Sequence, residues 1–205
     1  MSFRVDDLVA AAERIAKAAR EAKDELNAQD GRLGDGDLGI TLDKGWAEAT
    51  ALEVDDPDLG RYFLALSKAF QRVSSSSFGT LLATGLMAAA KGTKGRNAVE
   101  YHEVTDLIAA ARDAMMARGK GELGQKSVLD ILDALAIATR DLNDPGDIAE
   151  AARQAVEVSL ETFRNQPAGL GRARMYGEAS IGLDDPGMLA TRHMVNGLIS
   201  DNSAP

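Results

Sequence analysis

A chain of 205 residues, of which 45% are hydrophobic and 4% aromatic, is long enough for one well-buried domain and short for two, so we expect a single domain over residues 1–205. Its formal net charge of −9 argues against a nucleic-acid or anionic-membrane partner, because both require a concentrated positive field. The absence of cysteine excludes disulfides, thiolate nucleophiles and zinc–thiolate clusters.

The beginning of the chain does not resemble a targeting segment. Residues 1–7 become acidic where a secretory signal would be apolar. No uninterrupted apolar run approaches the roughly 20 residues of a membrane span. We therefore expect a soluble, cytoplasmic protein.

Helical periodicity starts near the N-terminus and recurs along the chain. Apolar residues are spaced three or four apart between Leu8 and Ala19, in a charged background typical of an amphipathic helix. Similar patterns predict helices over 39–52, 58–73, 79–92, 103–118, 127–141, 146–164 and 186–200, and no segment alternates as a strand does. Because the alanine-rich helices can approach closely, we predict an all-α, single-domain bundle of about eight antiparallel helices.

An aspartate followed by proline marks three of the predicted helix starts. These pairs are Asp56-Pro57, Asp144-Pro145 and Asp185-Pro186. The aspartate can cap the helix, and the proline lacks only an N–H that the first turn would leave unpaired. Each pair therefore predicts the first residue of a helix.

Three segments do not fit the helical pattern: Leu26–Gly39, Ser74–Ser77 and Pro167–Gly187. We read them as loops, which carry function more often than helices do. The first contains Asp30, Asp35 and Asp37 among glycines, just before a predicted helix.

Three carboxylates so close together are tolerable when a cation lies between them, and flexible oxygen ligands suit Mg²⁺ or Ca²⁺. The N-terminus of the following helix would accept phosphate oxygens beside the metal. The alternative is an ordinary Asp/Gly turn in which Asp37 only caps that helix. The acidic spacing of an EF-hand is absent.

Several motifs in fixed order give the sequence a family resemblance. They are Leu26-Asn27, Asp30-Gly31, Gly34-Asp35-Gly36-Asp37, Phe78-Gly79-Thr80, Gly124-Gln125-Lys126-Ser127-Val128-Leu129-Asp130, Gly171-Arg172-Ala173, Gly177-Glu178, Ser180-Ile181-Gly182 and Asp185-Pro186-Gly187. Together they resemble the nucleotide-binding L subunit of dihydroxyacetone kinases, the DhaL or DAK2 domain family. The resemblance implies a barrel of eight antiparallel helices with ADP or ATP at one end.

The resemblance also implies which residues form the site. Asp30, Asp35 and Asp37 would be the catalytic residues and would coordinate two Mg²⁺ ions. The nucleotide would contact the residues Leu38, Gly39, Ile40, Thr41, Ser74, Ser75, Gly119, Val128, Arg172, Asp185, Pro186 and Gly187. Among these, the backbone of 38–41 with the Thr41 hydroxyl, and the pair Ser74 and Ser75, would bind phosphate. Gly119 and Val128 would border the base or sugar, although Val128 also fits an ordinary core position.

Three positions depart from the family pattern. Leu38 replaces a histidine that could reach phosphate, serines 74–77 replace glycines, and Gln125 replaces a common acidic residue. Phosphate binding near Leu38 would then depend on backbone and metal. These changes indicate a divergent branch of the family, compatible with a different sugar.

For the reaction, the resemblance implies phosphoryl transfer to a small ketose held on a separate K subunit, with Mg-bound ADP or ATP as the nucleotide on this chain. Either ATP exchanges at each turnover, or bound ADP is rephosphorylated by a phosphohistidine carrier subunit. His102 and His193 lie outside any motif and are expected to be structural. A homodimer is left open. The alternatives are a non-catalytic nucleotide-binding regulatory subunit and a purely structural acidic helix bundle.

Overall fold

The computed structural model describes residues 1–73 and 76–199. Ser74, Ser75 and the last residue of the predicted C-terminal helix lie outside this part. The described residues form nine α-helices: α1 Val5–Glu21, α2 Lys23–Leu33, α3 Leu38–Thr50, α4 Leu59–Val73, α5 Ser77–Gly92, α6 Val104–Gly119, α7 Val128–Ala138, α8 Pro145–Arg164 and α9 Pro186–Ile199. Two 3-10 segments cover Tyr101–Glu103 and Ala173–Ser180.

Eight of these helices close into a ring. Each packs on the next in the order α1, α3, α4, α5, α6, α7, α8, α9, and α9 packs back on α1. The all-α fold of about eight helices predicted from periodicity is therefore confirmed, and the closed ring is the barrel that the family resemblance implied. The additional helix α2 contacts α3, α9 and the second 3-10 segment. No helix in the described ranges is both long and apolar enough to cross a membrane.

Large side chains from one helix fill the space that small residues leave on another. The ring of Phe70 is fully buried and stacks edge-on against Trp46, with centroids 5.2 Å apart. A Cβ on Gly45 would lie 2.2 Å from the Phe70 ring, so the absence of a side chain there lets α3 approach α4. Burying such a side chain contributes about 1.5–3 kcal/mol.

The structure corrects the reading of Leu26–Gly39 as a loop. Its first part belongs to α2, so Asp30 lies on the last turn of a helix. Leu26 and Leu33 are both buried, two helical turns apart, and this spacing fixes one face of α2 against the barrel. The high content of aspartate and glycine concealed that periodicity in the sequence.

Two smaller predictions also differ from the structure. The helix expected at Pro57 begins at Leu59, because Asp58 rather than Asp56 accepts the N–H of Gly60, at 2.8 Å. The helices after Asp144 and Asp185 begin at the prolines as predicted. In addition, the strands β1 Ser2–Phe3 and β2 Val99–Glu100, which no alternation had indicated, pair antiparallel. Two-residue strands are too short for a period-2 pattern.

Candidate functional site

A cavity of about 120 Å³ lies at one end of the barrel. Its walls come from the end of α2, the starts of α3, α5, α7 and α9, and the segment before the second 3-10 stretch. The lining residues are Asp30, Leu33, Asp35, Asp37, Leu38, Ser76, Ser77, Phe78, Leu81, Ser127, Val128, Leu170, Gly171, Arg172, Ala173, Asp185, Pro186 and Gly187. Polar groups thus face an otherwise apolar cavity.

Four helices begin at this cavity, and this follows from the fold. When neighbouring helices in a ring run in opposite directions, every second helix starts at the same end. Each helix N-terminus carries a partial positive charge and N–H groups without a partner in the helix. The convergence of α3, α5, α7 and α9 therefore favours an anionic ligand.

The three aspartates of the sequence prediction meet at the edge of the cavity. One carboxylate oxygen from each of Asp30, Asp35 and Asp37 lies within 4.8 Å of the others. Asp30 and Asp37 are half-buried and Asp35 is exposed. Hard carboxylate oxygens at this separation fit a Mg²⁺ ion that keeps water or phosphate as its remaining ligands.

Backbone geometry holds this cluster together. The Asp30 carboxylate accepts the N–H groups of Asp37, at 3.0 Å, and Leu38, at 3.3 Å. A Cβ on Gly34 would lie 2.4 Å from the same carboxylate, and Gly36 has a φ of +77° in the left-handed region. The two glycines therefore permit the tight turn that brings Asp35 beside the end of α2.

Arg172 approaches the cluster from the opposite wall and forms an ion pair with Asp35. The guanidinium and the carboxylate are both about half exposed, at 48% and 44%. In this arrangement Arg172 neutralises part of the charge that a metal ion would otherwise balance. An arginine beside three carboxylates can also pair with the oxygens of a phosphate.

The start of α3 differs from the phosphate loop expected from the sequence. The N–H of Ile40 is donated to the Asn27 side chain at 3.2 Å, and that of Thr41 to the Asp37 carbonyl at 2.9 Å. With the Leu38 N–H bound to Asp30, three donors expected for phosphate have partners within the protein. Gly39 is buried, and a Cβ there would lie 2.1 Å from the Lys23 carbonyl, so its absence serves helix packing. Leu38 itself lines the cavity, whereas Ile40 is exposed and Thr41 is buried.

Serines do contribute to the wall formed by α5. Ser76 accepts the N–H of Gly79 at 3.1 Å and caps the helix, and Ser76, Ser77 and Phe78 line the cavity. Ser74 and Ser75, the residues named in the sequence prediction, are outside the described ranges. A serine three residues before Gly79 is a cap signal that could have found Ser76.

The walls formed by α6 and α7 are mainly apolar. Val128 lines the cavity and is 6% exposed, so it is both a core residue and a wall residue. Gly119 ends α6 and does not line the cavity, but a Cβ there would lie 3.5 Å from Leu81, which does.

Some wall residues were not predicted from the sequence. Ser127 caps α7 by accepting the Leu129 N–H at 3.3 Å. Leu33, Leu81 and Leu170 were missed because apolar wall residues look like core residues in a sequence.

Asp185 closes the cavity at the start of α9. It is buried and accepts the N–H of Met188 at 2.9 Å. Burial raises the pKa of Asp185 to about 7, although bonds from the backbone N–H groups of Met188 and Gly187 act in the opposite direction. Pro186 and Gly187 line the cavity beside it.

The two histidines lie elsewhere. His102 is exposed in the first 3-10 segment. On α9, His193 Nε2 lies 3.2 Å from a carboxylate oxygen of Glu25, and burial lowers its pKa. Neither residue lines the cavity.

Known proteins resemble this chain in sequence and in fold. The DAK2 domain model matches residues 32–200. The chain is 29% identical over 182 residues to the PTS-dependent dihydroxyacetone kinase, ADP-binding subunit DhaL, of Lactococcus lactis subsp. lactis, with 88% of each protein covered. It is 30% identical over 200 residues to the L-erythrulose 1-kinase of Mycolicibacterium smegmatis, which covers 94% of this chain and 35% of that protein.

The fold has a counterpart among solved structures. The dihydroxyacetone kinase from C. freundii in complex with AMP-PNP and Mg²⁺ matches with a TM-score of 0.72 at 22% identity. The match covers 93% of this chain and 33% of the other. This likeness establishes a shared fold.

Proposed function

Since this chain belongs to the DAK2 domain family, we propose that it is the nucleotide-binding, phosphoryl-transferring subunit of a kinase for a small ketose of the dihydroxyacetone type. The observation that carries the proposal is the meeting of three aspartates with four helix N-termini at one cavity. A polyphosphate bridged by metal ions matches both halves of that arrangement, because the carboxylates need cations and the helix ends need anions.

Asp30, Asp35 and Asp37 would hold Mg²⁺, and two ions are part of the proposal. When bound, the metal supplies charge neutralisation for the transferred phosphoryl group. The protein contributes the rest by positioning: Asp30 fixes the start of α3, and Arg172 stands where it can pair with a phosphate oxygen. No nucleophilic side chain is needed on this chain.

The nucleotide would lie with its phosphates toward the aspartates and its base toward the apolar wall of Leu81, Val128 and Leu170. At about 120 Å³ the cavity is smaller than the roughly 300–1,000 Å³ of pockets that enclose a whole drug-sized ligand. Part of the nucleotide would therefore remain at the surface of the protein, where a second subunit can reach its terminal phosphate.

The acceptor sugar would be held on a separate K subunit, since the related protein of L. lactis is named as the ADP-binding subunit of its kinase. That name also calls the kinase PTS-dependent, which favours a phosphohistidine carrier as the phosphoryl donor over exchange of ATP. The name of the M. smegmatis relative shows that a kinase sharing this domain acts on L-erythrulose, so a four-carbon ketose is included in the substrate class. We place the activity in the cytoplasm, where these donors occur. The oligomeric state is also to be tested, and a homodimer is part of the proposal.

A non-catalytic regulatory subunit that only binds the nucleotide is the second candidate. Leu38 supports it, because an apolar side chain lines the cavity where the family resemblance implies a phosphate-binding histidine. The three aspartates weigh against it, since a docking module gains nothing from repelling charges that must be compensated.

One experiment separates these functions. The purified chain is mixed with the sugar-binding subunit of a dihydroxyacetone kinase, dihydroxyacetone or erythrulose, Mg²⁺ and either ATP or a phosphohistidine carrier. We expect sugar phosphate only when both subunits are present, and none with Asp35→Asn, which still forms the complex. Nucleotide binding without any transfer would leave the regulatory function, and no Mg²⁺-dependent ADP binding at all would refute both.

A further inference from the structure

Lys126 is a buried cation next to the candidate site. Its side chain is fully buried. Its backbone φ is +56°, and the residue directly precedes Ser127, the cap of α7. The ammonium donates to the carbonyls of Arg164 at 3.0 Å, Gln166 at 2.8 Å and Ser180 at 2.9 Å. All three of its N–H donors therefore have a backbone acceptor.

These acceptors lie at the two ends of one loop. Arg164 is the last residue of α8 and Gln166 lies two residues beyond it, whereas Ser180 ends the second 3-10 segment. A single ammonium therefore closes the base of loop 166–180. The Ser180 hydroxyl reinforces this base by accepting the N–H of Ala168 at 2.7 Å and donating to the carbonyl of Gly177 at 2.6 Å. A compact surface loop with its ends held together is an Ω-loop.

The middle of that loop is a wall of the cavity. Leu170, Gly171, Arg172 and Ala173 all line it, together with Ser127 and Val128 at the start of α7. A further bond joins the loop to the segment that carries Lys126, because Gly169 donates its N–H to the Gln125 carbonyl at 2.9 Å. The geometry of the wall thus depends on how firmly the base of the loop is tied to α7.

Backbone carbonyls and nearby carboxylates compensate the buried positive charge of Lys126. Burial lowers the pKa of Lys126, while the nearby carboxylates of Asp185 and Asp184 act in the opposite direction. A buried charge is retained at a cost unless hydrogen bonds satisfy it, and here three carbonyls do so. Since the ammonium lines no part of the cavity, contact with the ligand does not explain this arrangement.

We propose that Lys126 is a positioning residue of the nucleotide site: by closing the base of loop 166–180 it holds Arg172 and Leu170 in the cavity wall. The inference rests on the proposed function, because the wall matters only if Mg-ADP binds there. Removing the ammonium should loosen the loop and weaken Mg-ADP binding through the displaced wall residues, although Lys126 itself does not line the cavity.

The absence of cysteine from the chain allows a test of the ammonium alone. Lys126→Cys is alkylated in the unfolded state and refolded, either with bromoethylamine, which restores an ammonium at nearly the length of lysine, or with bromopropane, which gives a neutral side chain of similar length. Wild-type protein taken through the same treatment is the reference. Mg-ADP affinity is measured by calorimetry, and amide exchange over 166–180 by mass spectrometry.

We expect the aminoethyl form to bind Mg-ADP about as tightly as the reference and the propyl form on the order of tenfold more weakly, a change of about 1.4 kcal/mol. Exchange over 166–180 should be faster in the propyl form, with exchange in α4 unchanged. Leu59→Ala, a core change at the opposite end of α4 from the cavity, should lower stability without either effect. Equal affinity and equal exchange in the two alkylated forms would overturn the proposal.

A thermodynamic cycle with Arg172→Ala tests whether Lys126 acts through the loop. If it does, the affinity difference between the aminoethyl and propyl forms should shrink to less than about twofold in the Arg172→Ala background, because the two changes remove the same contact. An undiminished difference would contradict the proposal.

Two further outcomes remain decisive. Should the propyl form fail to refold, Ser180→Ala loosens the same loop base while leaving Lys126 in place, and it should speed exchange over 166–180 and weaken Mg-ADP binding. Wild-type values for both would overturn the proposal. If the reference protein does not bind Mg-ADP, the proposed function fails, while the exchange data still decide whether the ammonium orders the loop.

Discussion

The carboxylate of Asp30 accepts a hydrogen bond from the backbone N–H of Asp37 at 3.0 Å, so one candidate metal ligand fixes the position of another. Asp30 comes from the last turn of α2 and Asp37 immediately precedes α3. Because the second oxygen of Asp30 remains available, the residue can order the turn and still contribute to a metal site. Asp35 is exposed and, among the contacts described, forms only the ion pair with Arg172, so it does not order the turn as Asp30 does.

This difference predicts distinct effects of two alanine substitutions. Asp30→Ala removes the acceptor of two N–H groups and should lower the unfolding free energy of the unliganded protein by about 1–2 kcal/mol. Asp35→Ala breaks one exposed ion pair and should cost less than about 1 kcal/mol. Both should abolish the Mg²⁺-dependent stabilisation by ADP, which in the wild type reaches about 2.7 kcal/mol at roughly 100 times the Kd. Chemical denaturation with and without Mg-ADP measures both quantities, and an ADP effect that survives either substitution would exclude these residues as ligands.

Arg172 should act in opposite directions on the metal and on the nucleotide. Its ion pair with Asp35 competes with a cation, so Arg172→Ala should tighten binding of Mg²⁺ alone by about two- to five-fold. The same substitution removes a phosphate partner and should weaken binding of Mg-ADP. Calorimetric titrations with each ligand make the comparison. Arg174→Ala is the control, because that residue is exposed two positions further along, within the second 3-10 segment. Parallel changes in the two affinities would show that Arg172 does not compete with the metal.

Asp185 should make stability depend on pH. Burial raises its pKa from 3.8 to about 7, so the folded protein keeps this proton between about pH 4 and 7 while the unfolded chain releases it. The contribution of Asp185 to the unfolding free energy is therefore full below about pH 4 and lost as the pH rises to about 7, at up to about 1.4 kcal/mol per pH unit. Asp185→Asn keeps a good helix cap but cannot ionise. The unfolding free energy of the variant relative to the wild type should therefore increase as the pH rises across this range.

Denaturation at several pH values between about 4 and 7 tests this expectation. Asp144→Asn, which makes the same change at the exposed cap of α8, serves as the matched control. Parallel profiles for Asp185→Asn and the wild type would contradict the assignment of a raised pKa.

Two glycines beside the aspartates should respond oppositely to alanine. A Cβ at Gly39 would lie 2.1 Å from the Lys23 carbonyl, so Gly39→Ala must push α3 away from α2 and should cost about 1–3 kcal/mol. Gly31 lies in α2, where an added Cβ would lie no closer than 3.9 Å to its surroundings, and Gly31→Ala should stabilise the protein by up to about 1 kcal/mol. Thermal unfolding of the two variants provides the comparison. A neutral Gly39→Ala would mean that the close approach of the two helices is not required.

Much of the site could be read from the sequence because its polar residues follow local rules. Acidic residues and prolines placed Asp37 and Asp185 beside helix starts, and the family resemblance implied both as site residues. Both line the cavity. The phosphate donors expected at Leu38 and Ile40 illustrate the opposite case. Their N–H groups are bound to Asp30 and Asn27 on α2, a helix that the sequence reading had taken as a loop. The position of a helix end in a sequence does not reveal what another helix places against it.

The sequence by itself determined the helical periods, the caps and the concentration of carboxylates between residues 30 and 37, since each depends on residues close together in the chain. Only the tertiary structure decided that Arg172 meets Asp35 and that Lys126 joins the two ends of loop 166–180. These contacts connect residues far apart in sequence, and closure of the helical ring brings them together. A buried charge such as Lys126 is stable only where the folded chain supplies its acceptors, and no local pattern specifies those.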